Sequence, residues 1–191
     1  MLDISYCRWP LSMPRKNVLR KNILSLLEGG DRRTIGQTDR VAAAVAKDPK
    51  LFPQLIAGLW SENPLVRMRA ADAAEKVTRK QPALLRPFKK ELLALMAEAT
   101  QQEMRWHLAA MVPRLPLAAD ERELAASLLN GYLEDHSSIV KTFALQGLAD
   151  LAQNDSSIRA KVIELLRAST RSGTPAMKAR SRKLLLQLED D

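Results

Sequence analysis

Any chemistry in this chain has to come from very few side chains. Among its 191 residues there are one cysteine, Cys7, and two histidines, His107 and His136. A structural zinc site needs four Cys or His ligands at turn or helical spacing, and these three residues are too few and too far apart to form one. Neither histidine has a nearby Ser or Cys with an acidic partner, so the sequence predicts no nucleophilic triad. Gly29-Gly30 runs into charged residues instead of joining a strand to a helix, which is not how a phosphate-cradling loop is built. The expectation is therefore a protein without catalytic residues, metal or cofactor, whose function is binding.

Binding needs a surface, and the composition says what kind of element carries it. Apolar residues make up 46% of the chain, charged residues 27% and aromatics 4%. This is too apolar for a disordered chain and too poor in aromatics for a β-sandwich. A lone cysteine forms no internal disulfide, and no apolar run reaches the length of a membrane span, so a soluble, reducing, cytoplasmic setting is expected. Apolar residues recur three and four apart from Thr38 onward, without sustained alternation, which predicts helices throughout.

The helices repeat. Four segments align without gaps: 66–77, 104–115, 140–151 and 177–188, starting 38, 36 and 37 residues apart. Their second position is always basic (Arg67, Arg105, Lys141, Lys178), and their eighth and ninth positions pair Ala73-Ala74, Met111-Val112, Gly147-Leu148 and Leu184-Leu185. Each follows another helical stretch, at 51–61, 83–99, 119–134 and 157–171, so the repeating unit is a helix pair. At 100° per residue, Val140, Ala144, Gly147, Leu148 and Leu151 fall on one side and predict the core. Opposite lie the third positions, Met68, Trp106, Thr142 and Ala179, and the tenth, Glu75, Pro113, Ala149 and Leu186, all expected to face outward.

A period near 37, helix pairs, and the stretch "NPLVRMRAADAAEKV" resemble the HEAT family of α-solenoids, from about residue 50 to residue 189. The resemblance implies an all-α, right-handed solenoid of about four helix pairs, with 15–28 and 38–47 as an N-terminal helical cap and 15–191 as a single domain. It also implies that the outward face lines a concave groove, where Trp106, beside Met68, would serve as an interface anchor. Alternatively, Pro113 distorts the helix and turns Trp106 inward. The basic second positions would tie neighbouring repeats together in such a stack, or track a polyanion at one cation per repeat. HEAT-like iron hydroxylases carry His-Glu pairs, and none occurs here. HEAT-like alkylpurine DNA glycosylases use a basic groove bearing Trp and Asp. Asp72 and Trp106 would face such a groove, but the local Trp-Trp-Asp type of motif is missing.

Charge is uneven. Basic against acidic residues number eight to four over 1–40, twelve to seven over 41–116, and ten to eleven over 117–191. The densest cluster is Lys76, Arg79, Lys80, Arg86, Lys89 and Lys90, with Arg32 and Arg33 as a second candidate. A solvated turn is the default for such a cluster, and weak nonspecific nucleic-acid contact the alternative. Mixed charge in the rows expected to face outward favours a protein-interaction scaffold over a nucleic-acid binder. Residues 1–14 lack helical period and read as a disordered lead segment, with Met13 a second possible start. The basic amphipathic stretch 15–28 could touch an anionic membrane surface, but a terminal cap needs the same pattern and is favoured.

Overall fold

The computed structural model describes residues 22–31, 34–153 and 155–189. The expected lead segment 1–14, the alternative start at Met13, most of the first expected helix and the Arg32-Arg33 turn lie outside the described residues. Among the described residues every regular element is helical: α1 Thr38–Lys47, α2 Phe52–Ala57, α3 Pro64–Thr78, α4 Lys89–Glu98, α5 Gln102–Met111, α6 Ala119–Tyr132, α7 Ser138–Gln153, α8 Ser156–Ser172 and α9 Pro175–Glu189, with five short 3-10 segments.

The four repeat segments become α3, α5, α7 and α9, and the stretches before them become α2, α4, α6 and α8. Local chemistry starts the helices. Asn63 Oδ1 accepts from Leu65 N at 3.0 Å with Pro64 at the first helical position, Asp155 Oδ1 accepts from Ser157 N at 3.0 Å, and Glu121 Oε2 accepts from Ala118 N at 2.7 Å. The segment expected at 104–115 is split: α5 stops at Met111 and continues as 3-10 helix over Val112–Arg114. Pro113 has no N–H to give to Ala109 O, so the α-helical ladder ends there. The described end of the first expected helix is likewise a 3-10 turn, Ile23–Leu27, closed by Gly29 and Gly30 at φ 71° and 76°.

Packing is serial. Helix α1 lies against α3, α3 against α5, α5 against α7 and α7 against α9, while α6 and α8 both pack on α7, and α8 packs on α9. One hydrophobic cluster runs through these contacts from Ile23 to Leu188. The predicted core side is buried: Ala70, Ala73, Ala74, Ala144, Leu148 and Leu184 are all covered.

The outward-facing rows need correction. Glu75, Thr142 and Ala149 are 2%, 8% and 1% exposed. A helix packed between a predecessor and a successor is covered on two flanks as well as on its core side, so positions far from the core centre are buried too. Only α9, with no later helix among the described residues, leaves those positions open, at Ala179 and Leu186.

Candidate functional site

The basic second positions differ along the series. Arg67 donates to Ser61 O at 2.7 Å, Glu62 O at 3.1 Å and Gln101 Oε1 at 3.2 Å, while Gln101 Nε2 reaches back to Pro64 O at 3.2 Å. Arg105 donates to Ala99 O at 2.7 Å, pairs with Asp135 and lies over the Tyr132 ring at 5.1 Å. Each guanidinium closes its own inter-helix turn and reaches into the next, a task suited to a planar, many-donor group. Burial would raise the Asp135 carboxyl, but hydrogen bonds from Ser137 N and Arg105 hold it below its usual range. Lys141 and Lys178 make no such ion pair among the described residues. There the turns are joined by Ser138 and Thr174, whose hydroxyls are 2.6 Å apart.

The Lys76 to Lys90 cluster divides in the same way. Lys76 is held by Asp39 at 2.6 Å and Asp72 at 2.8 Å, and Lys89 bonds Glu121 at 2.5 Å. Lys80, Arg86 and Lys90 are exposed and carry no ion pair among the described residues. Trp106 is half-buried, its ring 3.4 Å from that of His107 and 5.1 Å from that of Phe143 on α7. Arg180 of α9 lies over the Phe143 ring, 5.8 Å from its centroid, and donates to Gln146 at 2.6 Å. Indole and guanidinium, from α5 and α9, thus both meet the phenyl ring of α7. Met68 is half-buried on α3.

Two charged groups are buried among the described residues: Arg69, which the repeat pattern did not single out, and Glu75, which it placed on the outward face. Arg69, 1% exposed, donates to the carbonyls of Leu27 at 2.8 Å, Gly29 at 2.6 Å, Asp31 at 3.0 Å and Thr34 at 3.2 Å. Carbonyls from 27–31 and Thr34 thus surround this guanidinium, and Gly36 at φ 55° comes so close that a Cβ there would sit 3.0 Å from Arg69 Cζ. Glu75 on α3 receives Arg79 Nε at 2.9 Å and pairs with Arg114 from the 3-10 turn after α5. Arg114 also donates to Glu75 O at 3.0 Å and Thr78 Oγ1 at 3.1 Å. Burial alone would raise the Glu75 carboxyl, but the hydrogen bonds from Arg79 and Arg114 outweigh it and hold the group ionised and low.

His107 is buried, and desolvation pushes its pKa down to about 3, so the ring is neutral. Asp150 on α7 is shifted upward by burial, against the pull of its Gln146 hydrogen bond and of Arg114 and Arg180. Two clefts meet at the Pro113-Leu115-Pro116 turn. One, of about 210 Å³, reaches Arg122 and Asp150, and the other, open and about 580 Å³, is lined by Arg79, Arg86 and Arg114. No group of three or more His, Cys, Asp or Glu side chains is arranged to hold a metal ion among the described residues, and no helix there is long and apolar enough to cross a membrane.

The chain matches no protein-family model, no curated protein and no solved structure.

Proposed function

We propose that this protein is a non-catalytic protein-interaction scaffold, a small HEAT-like solenoid that presents the faces of α3, α5, α7 and α9 to a protein partner. The observation that carries this reading is the half-buried group Trp106, Phe143 and Arg180, one side chain each from α5, α7 and α9, in which the indole and the guanidinium both lie against the Phe143 ring. Aromatic and arginine side chains held in place by their neighbours lose little entropy on binding and are the usual anchors of protein interfaces. Support also comes from the serial contacts of the odd-numbered helices and from Arg67 and Arg105, which tie consecutive turns as a stacked repeat requires.

The test is affinity capture from the native cell with intact chain and with Trp106→Ala, in lysates with and without nuclease. Partners held by the intact chain in both lysates and lost by the variant support the scaffold. Capture that disappears with nuclease treatment transfers the protein to the nucleic-acid binders.

A further inference from the structure

Residues Arg79, Arg86 and Arg114 converge on an open cleft of about 580 Å³ whose floor includes Pro113, Leu115 and Pro116. We propose that this cleft recognises an acidic, extended segment of a protein partner, a proposal that rests on the scaffold reading and names the chemistry of one of its ligands. Glu75 is the reason the cations are in place. Its single carboxylate, 2% exposed, holds both Arg79 and Arg114, leaving one positive charge in surplus on two fixed guanidiniums. Arg86 adds a second, exposed and unpaired among the described residues. Guanidiniums fixed before binding form bidentate hydrogen bonds with carboxylates at little entropic cost.

The surroundings favour a peptide over a nucleic acid. The floor is proline and leucine, rigid and apolar, which suits aliphatic side chains beside the acidic ones. A phosphate backbone needs cations that continue along its path. Here much of that path is neutralised, Lys76 by Asp39 and Asp72, Lys89 by Glu121 and Arg122 by Asp155, and beside Arg86 only Lys80 and Lys90 of the nearby cluster stay exposed without an ion pair among the described residues. Beyond the Pro113-Leu115-Pro116 turn the adjoining cleft carries the Asp150 carboxyl, which repels further anionic chain.

The experiment titrates the full chain into a short fluorescein-labelled peptide of glutamates interrupted by leucines, read by anisotropy, and repeats it with Arg86→Glu and with Lys161→Glu. The second variant makes the same charge change at an exposed position of α8. Saturable binding that weakens about tenfold or more in Arg86→Glu and changes by less than about twofold in Lys161→Glu is the expected result. No saturable binding by the intact chain overturns the proposal, as does an equal loss in the two variants. It is also overturned if a labelled DNA duplex binds the intact chain more tightly than the peptide and loses that affinity in Arg86→Glu. A failed peptide titration with partner capture intact removes the cleft alone, whereas failure of capture removes the scaffold reading.

Discussion

Arg69 and His107 occupy the same position in consecutive repeat segments, and both are buried, but they answer burial in opposite ways. Arg69 brings five N–H donors, and the chain supplies four backbone carbonyls around it. Arg69→Met leaves those acceptors without their donor and should cost roughly 2–4 kcal/mol in chemical denaturation. Arg69→Lys should recover less than half of that, because a single ammonium cannot span four carbonyls. A loss below about 1 kcal/mol in Arg69→Met would show that the loop is held by something else. His107 instead stays neutral. Its folded pKa of about 3 lies below the ordinary value of 6.5, so the unfolded chain takes up the proton first. Its contribution to stability is complete above about pH 6.5 and is lost as pH falls toward about 3. Between pH 7 and pH 5 this amounts to about 2 kcal/mol, in a window above that of Glu75 and Asp135, whose lowered carboxyls lose their contribution only below their ordinary values. Urea unfolding at the two pH values should show the difference in the parent chain and not in His107→Gln; an identical difference in the variant would assign the effect to another group.

At the scale of elements, the approach of α7 to α5 rests on Gly147. A Cβ there would lie 2.7 Å from Ala109 O and 3.0 Å from Leu129 Cδ2. Ala109 O is the carbonyl that Pro113 leaves without a helical donor, so the end of one helix and the close approach of the next share a cause. Gly147→Ala should therefore destabilise by about 1–3 kcal/mol, measured by thermal or urea unfolding, although alanine favours a helix more than glycine does. Stabilisation by the substitution would mean that the helices lie further apart. The third positions make a second test. Thr142 is 8% exposed and its hydroxyl donates to Ser138 O at 2.7 Å, so Thr142→Asp should cost several kcal/mol, as Ala144→Asp should. Ala179→Asp, at the same repeat position on the open face of α9, should cost less than about 1 kcal/mol. Equal loss at positions 142 and 179 would place another surface over α9.

For the whole molecule, the ion pairs decide how its excess of eight positive charges is felt outside. Once Lys76 and Lys89 are engaged by carboxylates, Lys80, Arg86 and Lys90, with the surplus charge that Arg79 and Arg114 share over Glu75, carry what remains around that turn. Duplex DNA should bind weakly, near roughly 10⁻⁴ to 10⁻⁶ M, and lose affinity steeply between about 50 mM and about 200 mM salt. Lys80→Glu with Lys90→Glu should abolish this binding without unfolding the chain, whereas tight binding that survives the higher salt would contradict it. The sequence by itself determined that the chain is helical, where α1, α3, α7 and α9 lie, the 37-residue spacing of the pairs, and the core side on which Ala144 and Leu148 sit. These follow from local periodicity, caps and prolines, which act within a few residues. Tertiary structure alone decided that Thr142 and Glu75 are covered, that Arg67 and Arg105 differ from Lys141 and Lys178 in how they meet the turns, and that Arg69 and Glu75 are centres of polar networks. Those outcomes depend on groups about 30 to 40 residues apart being brought together by serial helix packing, and a helical period within one segment carries no record of which neighbour covers each flank.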